Sequence, residues 1–366
     1  MEGGGVEQAT VDIALAVAHA SRRSLVASRG GRLEGALARG GAGLVRLPVH
    51  SRNPLTMAVN AARLARVIAR ERVSLVHVRS RAPAFSALAA ARLAGVPLIA
   101  TYHGVYGARS PAKRWYNGIM TRGEVVIANS RFTRDHILAQ HHPKPCKVVV
   151  IPEGIDTETF DPAAVSQGRI DAVRAGWEVA PGEERQIVLV AARLTSWKGH
   201  RVIIDALAAR RDVLLILAGA STASPYAAAL TSLALSRGLI DHVRLVGPCE
   251  DMPAAYRLAD LVAAPSTAAE SFGRAVAEAG AMERVVLASR LGGPAETIVD
   301  GRTGWLVAPG DVGAWAACLE RALRTGRAER AAMGAAARAR VTGLYGLAAM
   351  SEATFEVYRR VLEHRQ

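Results

Sequence analysis

Short apolar runs alternate along the chain with longer segments in which apolar residues recur at helical spacing. Helical patterns occur at residues 60–70, 83–93, 200–209 and 254–259. The apolar runs predict strands at residues 74–78, 97–102, 124–130, 186–191, 212–219, 243–247, 261–266 and 285–289. Uninterrupted apolar strands separated by helices are typical of parallel βαβ units. The series occurs twice, which predicts an α/β protein with two doubly wound, Rossmann-like domains.

The segment IPEGIDTETFDP, residues 151–162, separates the two series. It is rich in Pro, Gly and Asp and follows the predicted strand KVVVI. We therefore expect a first domain over residues 1–160 and a second over 161–349, with a helix at about 350–366 that packs back on the first. Parallel sheets bind ligands beyond the carboxyl ends of their strands. Two such domains facing each other across a cleft would hold a ligand between them.

Composition indicates a soluble globular protein, because half of the 366 residues are hydrophobic and 21% are charged. The longest uncharged run, residues 213–236, contains Gly, Pro and several Ser and Thr, and it favours a strand, a loop and a helix over a membrane span. No signal-peptide pattern opens the chain. The three cysteines are widely spaced, which argues against a disulfide framework or a zinc site. A cytoplasmic location is the simplest expectation.

Positive charge is concentrated in the first part of the chain. Residues 1–150 contain 22 Lys and Arg against 7 Asp and Glu, a net charge of +15, whereas the remainder has a net charge of −1. Such asymmetry indicates an anionic partner, either nucleic acid or an anionic membrane surface. No RNA-recognition signature is present, which disfavours nucleic acid. Alternatively, the excess positive charge reflects an organism whose proteins generally contain much arginine.

The stretch ARLTSWKGH, residues 192–200, directly follows a predicted strand and precedes a helix. Arg193 and Lys198 should therefore lie at the carboxyl end of that strand, where two cations suit a diphosphate group. Gly199 permits close backbone approach before the helix. The alternative is an ordinary solvated loop that carries two cations.

A second candidate is AESFGRAVAEAGAM, residues 269–282, which contains two glutamates. A helix is expected to begin near Ser271 or Phe272, so its free N–H groups would favour an anion. Glu270 precedes that start and could accept hydrogen bonds from sugar hydroxyls. Glu278 is eight residues further, about 80° around an ideal helix, so the two need not share a face. Alternatively, Glu270 complements the helix dipole and Glu278 faces solvent.

Two further strand ends carry candidate residues. Gly292 and Gly293 mark a tight turn after the strand at residues 285–289, and Glu296 opens the following helix. His103 ends a first-domain strand within ATYHGVYG, residues 100–107. A lone histidine is usually structural, but the carboxyl end of a parallel strand favours a site.

Taken in order, these motifs resemble glycosyltransferase family 4, whose members have the GT-B architecture. Glu270–Ser271–Phe272–Gly273 with Glu278 is similar to the Glu-x7-Glu motif of that family. The segments ARLTSWKG, YHG, IPEGIDTETF and DGRTGWLVAPGD add to the likeness, which covers nearly the whole chain. Each motif is loose by itself, whereas the ordered set is specific.

The resemblance implies a retaining sugar transfer from a nucleotide-diphosphate sugar without a metal or other cofactor. Arg193 and Lys198 would hold the diphosphate, Glu278 the ribose and Glu270 the donor sugar. His103 would approach that sugar from the acceptor domain. The remaining implied positions are the donor-binding residues Ser271, Phe272, Gly273, Gly219 and Cys249, with Val246–Cys249 beside the base, and the acceptor-side loop at Gly4 and Gly5.

Two departures from the family pattern stand out. The family normally begins with an apolar strand before its first Gly-rich turn, whereas here Met1 is followed at once by EGGGVEQATVDIALAVAHA. We expect the first strand of the first domain to be missing. The family also has Gly-x-Pro-Val after the motif helix, where this chain has Glu283-Arg284-Val285-Val286. Glu283 would then occupy a left-handed position at a cost of about 1 kcal/mol.

The acceptor implied by the resemblance is a glycan or lipid-linked molecule in cell-surface polysaccharide or lipopolysaccharide assembly. Lys113, Arg114 and Trp115, together with the basic helix at residues 60–72, could bind an anionic membrane at its inner face. Trp115 and Met120 could instead be core residues. Two alternative functions remain open: a non-hydrolysing GT-B nucleotide-sugar epimerase, or a non-catalytic nucleotide-sugar-binding protein.

Overall fold

A computed structural model describes residues 4–107, 110–219 and 223–364 of the chain. The polypeptide forms two compact units. The first contains the residues up to Gly154 together with the segment from Leu347 onward, and the second runs from Ile155 to Gly346. The division between them falls inside the Pro- and Gly-rich segment at residues 151–162.

The first unit contains two parallel sheets. Strand β1 (Leu25–Ser28) pairs with β2 (Gly43–Arg46). A four-stranded sheet has the order β3 (Val76–Val78), β4 (Leu98–Tyr102), β5 (Val125–Ala128) and β6 (Val148–Val150). The helices are α1 (Gly5–His19), α2 (Glu34–Arg39), α3 (Pro54–Arg70), α4 (Arg81–Leu93), α5 (Pro111–Gly118), α6 (Arg131–His141) and the C-terminal α15 (Leu347–Glu363). Helix α1 is the first element of the described chain, and no described strand joins β1 to β3.

Helix α1 packs against both sheets of the first unit. Its residue Ile13 lies in a buried cluster with Ile99 and Val125 of the four-stranded sheet. Its residue Val11 lies in a second cluster with Val26 of β1. Helix α15 contributes Met350, Val357 and Val361 to the cluster that contains Ile13. The two ends of the chain therefore share one hydrophobic core.

The second unit is a doubly wound α/β sheet of six parallel strands. The strand order is β12-β11-β10-β7-β8-β9, formed by β7 (Gln186–Ala191), β8 (Val213–Ala218), β9 (Val243–Gly247), β10 (Leu261–Ala264), β11 (Val285–Ser289) and β12 (Gly304–Val307). The helices are α7 (Gln167–Gly176), α8 (His200–Ala206), α9 (Pro225–Ser236), α10 (Met252–Leu258), α11 (Arg274–Ala281), α12 (Pro294–Thr297), α13 (Val312–Arg324) and α14 (Arg327–Leu344). Separate buried clusters cover the two faces of the sheet. The predicted Rossmann-like α/β class is confirmed.

The uncharged run at residues 213–236 is divided as the sequence predicts. Its first part is the fully buried strand β8, and its last part is α9, capped by the Ser224 side chain, which accepts from the N–H of Ala227 at 3.1 Å. Among the helices of the described residues, none is both long enough and apolar enough to cross a bilayer.

Helix α11 ends in a left-handed residue that is not glycine. Glu283 has φ +58°, as the sequence predicts for this position. The N–H of Glu283 donates to the carbonyl of Gly280 at 3.1 Å, and the N–H of Arg284 donates to that of Ala279 at 2.9 Å. This is the hydrogen-bond pattern of a Schellman motif, in which glycine is preferred because it has no Cβ.

We expect Glu283→Gly to raise the free energy of unfolding of the second unit by about 1 kcal/mol, because glycine adopts this conformation without strain. Urea denaturation followed by circular dichroism would measure the change. Glu283→Ala is the matched control, since it removes the carboxylate but keeps the strained backbone. An equal gain in both variants would assign the effect to the charge and contradict the backbone argument.

Candidate functional site

The loop after β7 is held against the loop after β10, its neighbour in the sheet. Gly199 has φ +76°, and a Cβ at this position would lie 1.8 Å from the carbonyl oxygen of Pro265. The N–H of Thr267 donates to the carbonyl of Trp197 at 2.8 Å. Only glycine allows this approach, so the Trp-Lys-Gly segment brings Lys198 to the residues that follow β10.

Lys198 and Glu270 form an ion pair at this edge of the sheet. Lys198 Nζ lies 2.7 Å from Glu270 Oε2, and the two side chains are only 14% and 16% exposed. Ser266 Oγ donates to the other oxygen, Glu270 Oε1, at 2.5 Å. An ammonium and a hydroxyl therefore fix the orientation of the carboxylate in a partly desolvated place, where such interactions are stronger than at the surface.

The glycine pair after β11 supports the segment that carries Glu270. The N–H of Gly293 donates to the carbonyl of Glu270 at 2.8 Å. A Cβ at Gly292 would lie 2.3 Å from that carbonyl oxygen, and one at Gly293 would lie 2.4 Å from the carbonyl oxygen of Ser271. These glycines permit the backbone contact that positions Glu270.

Helix α11 begins later than the sequence predicts. The expected start at Ser271 or Phe272 is wrong, because the helix starts at Arg274 and Gly273 adopts a left-handed conformation with φ +86° before it. The Phe272 side chain is buried and its ring lies 5.6 Å from that of Tyr345. This aromatic anchor and the left-handed glycine delay the helix, so residues 271–273 form its entry turn.

Glu278 lies on α11 and is only 15% exposed, so the solvent-facing alternative does not hold. Tyr256 Oη donates to Glu278 Oε2 at 3.2 Å, and Arg274 Nε donates to Oε1 at 3.3 Å. Burial raises the pKa of Tyr256 well above its usual value, so the phenol remains a donor. Glu270 and Glu278 thus have different hydrogen-bond partners.

The other predicted donor residues also lie after strands of the second sheet. Arg193 is exposed at the start of the loop after β7. Gly219 has φ +126°, its N–H donates to the carbonyl of Gly247 at 2.7 Å, and a Cβ there would approach the carbonyl of Ala192 to 2.9 Å. Cys249 follows β9, is half-buried, and has its thiol pKa raised mainly by burial. The roles of these residues in donor binding stay predictions.

In the first unit, four polar residues follow strands β3 to β6 in turn: Arg79, His103, Asn129 and Glu153. His103 Nδ1 lies 2.9 Å from Glu153 Oε1, and both side chains are buried. The sequence indicates a site at His103 and gives no such indication for the other three. Each of them could have been found, because each follows an apolar strand; Glu153 lies in residues 151–162, which the sequence marks as the domain boundary.

The predicted acceptor-side loop lies at the start of α1. Gly4 is the N-cap of this helix, and its N–H donates to Glu7 Oε2 at 2.9 Å. Gly4 and Gly5 are both exposed. Their contact with an acceptor stays a prediction. Across the described ranges, no three His, Cys, Asp or Glu side chains are grouped as metal ligands would be.

The stability of the loop that carries Lys198 should depend on pH through His200, the completely buried first residue of α8. Burial lowers the pKa of His200 from 6.5 to about 4, so the folded chain keeps the ring neutral where the unfolded chain binds a proton. The stability that the neutral, buried ring allows is fully present above about pH 6.5. It is lost as the pH falls towards 4, because the unfolded chain then binds a proton that the folded chain does not. We expect a loss of up to about 3 kcal/mol.

Urea denaturation of the wild type and of His200→Leu at several pH values would test this dependence. The variant should have a flatter pH profile between pH 6.5 and 4, since leucine has no proton to bind. Parallel profiles for the two proteins would show that other groups cause the acid sensitivity.

Known proteins resemble the chain along nearly its whole length. The family model described as Glycosyltransferase Family 4 matches residues 3–159, and the model Glycosyl transferases group 1 matches residues 176–340. A D-inositol 3-phosphate glycosyltransferase from Mycobacterium sp. (strain KMS) is 33% identical over 214 residues, 57% of this chain and 47% of that protein. The chain thus spans about half the length of such curated relatives.

Solved structures agree in fold. A glycosyltransferase from Rickettsia africae ESF-5 is 30% identical, with a TM-score of 0.90 over 98% of this chain and 96% of that one. The Anabaena protein Alr3699/HepE, solved in complex with UDP-glucose, is 24% identical with a TM-score of 0.84 over 98% and 97% of the two chains. From its two family matches and this full-length likeness, the chain belongs to glycosyltransferase family 4 and has the GT-B fold.

Proposed function

We propose that the protein transfers a sugar from a nucleotide-diphosphate sugar to a hydroxyl group of an acceptor. The observation that carries this proposal is the Lys198–Glu270 pair, held by Ser266 at the carboxyl edge of the second sheet. In this pair, a cation suited to phosphate lies within hydrogen-bond distance of a carboxylate suited to hydroxyl groups. A nucleotide-diphosphate sugar has both groups side by side, because its diphosphate is attached directly to the sugar.

The donor would extend along the carboxyl edge of the second sheet. Lys198 and Arg193 would bind the diphosphate, Glu270 would accept hydrogen bonds from sugar hydroxyls, and Glu278 would accept them from the ribose. The separate partners of the two glutamates support this division. UDP is the first nucleotide to test, since the Anabaena protein of the same fold was solved with UDP-glucose.

In the proposed reaction, the bond between the anomeric carbon and the diphosphate oxygen breaks while the acceptor oxygen bonds to that carbon. Negative charge develops on the leaving diphosphate, where Lys198 and Arg193 would stabilise it without a metal. The acceptor proton would pass to an oxygen of the leaving diphosphate, on the face where the acceptor attacks, which retains the anomeric configuration. Both oxygens of Glu270 already accept hydrogen bonds, which suits orientation of the sugar rather than proton transfer.

Lys198→Met should lower kcat about 100-fold or more, because the variant cannot stabilise the developing charge on the diphosphate. Glu270→Ala should abolish both transfer and hydrolysis of the donor.

Thermal-shift screening of UDP-, GDP- and ADP-sugars would identify the donor, since a ligand at 100 times its Kd adds about 2.7 kcal/mol of stability. Turnover of that donor is then measured with NMR detection of the anomeric product.

Arg201→Gln is the matched control, because Arg201 is an exposed cation in the helix that follows Lys198. Its activity should equal that of the wild type. Donor binding without any turnover would identify a binding protein, and isomerisation of the donor without acceptor would identify an epimerase. An inverted anomeric product would contradict the retaining mechanism alone.

We further propose that the acceptor is a glycan or lipid-linked molecule reached at an anionic membrane surface, as in cell-surface polysaccharide or lipopolysaccharide assembly. On α3, Leu55 is 78% exposed and Val59, one turn later, is 48% exposed. The same helix carries exposed Arg63, Arg66 and Arg70, and its sequence contains no Asp or Glu. Exposed apolar residues beside a row of cations fit the surface of an anionic bilayer.

Helix α5 adds a second group of this kind. Trp115 is 67% exposed, with exposed Lys113 and Arg114 beside it, so the alternative that Trp115 is a core residue is wrong. That alternative is correct for Met120, which is completely buried in the core of the first unit. The proposed membrane surface therefore consists of the exposed residues of α3 and α5. It would place the protein at the cytoplasmic face of the inner membrane.

Flotation with vesicles that contain anionic lipid should carry the protein with the lipid, and binding should weaken at high salt, where charges are screened. The double variant Leu55→Glu, Val59→Glu should stay in the soluble fraction, because it replaces apolar contacts with repelled charges. Leu235→Glu is the control, since Leu235 is 64% exposed on α9 of the second unit. Wild-type protein that does not float would contradict the membrane proposal and leave the proposed transfer reaction untouched.

A further inference from the structure

The buried carboxylate of Glu153 accepts hydrogen bonds from residues at the ends of two other strands of the first unit. His103 Nδ1 lies 2.9 Å from Glu153 Oε1, and Asn129 Nδ2 donates to the same oxygen at 2.8 Å. An unpaired buried carboxylate costs several kcal/mol, so these bonds are needed to keep the charge in place. Glu153, Asn129 and His103 come from the ends of three different strands and are drawn together by this one oxygen.

The direction of the hydrogen bonds is fixed by a chain of hydroxyl groups in α6 and its cap. Ser130 Oγ donates to Thr133 Oγ1 at 2.9 Å, and Thr133 Oγ1 donates to Asn129 Oδ1 at 2.9 Å. Because Oδ1 of Asn129 accepts from Thr133, its amide nitrogen is turned towards Glu153. The donors thus follow one another and end on the carboxylate, which can only accept.

The same reasoning fixes the tautomer of His103. Glu153 accepts, so the proton of the imidazole must be on Nδ1. Arg79 Nη1 lies 3.4 Å from Nε2, and a guanidinium only donates, so Nε2 presents its lone pair to that side. The 3.4 Å distance lies beyond the usual range of N–H hydrogen bonds, so this contact is weaker than the bond to Glu153.

We infer that Glu153 is a positioning residue that holds His103 in the neutral Nδ1–H tautomer and keeps Nε2 a hydrogen-bond acceptor. That His103 takes part in turnover rests on the proposed function. In this arrangement His103 can accept a hydrogen bond through Nε2 and does not carry a proton between reactants. Arg79 contributes by opposing a second proton on the ring, since two cations at this distance repel each other.

Nitrogen-15 NMR of the full chain, labelled at histidine, reads the tautomer directly without any substrate. The His103 signals, assigned by their loss in His103→Gln, should show a protonated Nδ1 and an unprotonated Nε2. Glu153→Gln should keep this pattern, because the Gln carbonyl also accepts from Nδ1–H. Glu153→Leu removes the acceptor, and the proton should move to Nε2 in a substantial fraction of molecules. A proton on Nε2 in the wild type, or an unchanged tautomer in Glu153→Leu, would overturn the inference.

Steady-state kinetics test the functional half of the inference. Glu153→Leu should lower kcat about 10- to 100-fold, the range seen when the outer partner of a functional histidine is removed from metal sites, whereas Glu153→Gln should restore most of it. Glu124→Leu is the matched control, because Glu124 is a carboxylate at the opposite edge of the same sheet, where Oε2 accepts from the N–H of Leu98 at 2.7 Å. It should lower stability and leave kcat unchanged.

The two measurements separate this inference from the proposed function. A protein with the expected tautomers but no transferase activity would contradict the proposed function and leave the positioning role intact. An active protein in which Glu153→Leu keeps the kcat of the wild type would overturn the role of Glu153 in turnover. A loss of kcat that Glu153→Gln fails to restore would show that the tautomer is not the cause.

Discussion

Parallel pairing is the constraint on which the molecule depends. Because the strands of each sheet run in the same direction, all of their carboxyl ends meet at one edge. The strands themselves are apolar and buried, so polar side chains are confined to the residues that follow them. In the second unit this rule collects Lys198, Glu270 and the Gly292–Gly293 pair. In the first unit it collects Arg79, His103, Asn129 and Glu153.

Close backbone contacts then turn this neighbourhood into a defined site. Gly199 lets the loop after β7 meet Pro265, and Gly292 lets the loop after β11 meet Glu270. A Cβ at either position would overlap backbone atoms that cannot shift to make room for it. The charged residues are therefore positioned by glycines that carry no chemistry themselves, and the Lys198–Glu270 distance reports how well the three loops fit.

The sequence predicted the fold class and the long apolar strands because these strands are buried on both faces. It missed β1 and β2, which are only partly buried, and β12, which begins at glycine. It identified Lys198, Glu270 and His103 because each follows a strand end. It could not predict the pairing of Lys198 with Glu270, or the bond from Glu153 to His103, because both join residues that are distant along the chain. The start of α11 was misplaced because the left-handed turn at Gly273 resembles a helical first turn in sequence.

Helix α15 determines when the core of the first unit can be completed during synthesis of the chain. It supplies Met350, Val357 and Val361 to a core that also contains Ile13 of α1 and Ile99 of β4. The hydroxyl oxygen of Tyr358 on this helix also forms a hydrogen bond with Nδ1 of His77 on β3, at a distance of 2.6 Å. During synthesis the N-terminal part leaves the ribosome first, but the last pieces of its core are translated after the entire second unit. The unit that is begun first is thus the one that is finished last, and until then its apolar face must be kept from other partners.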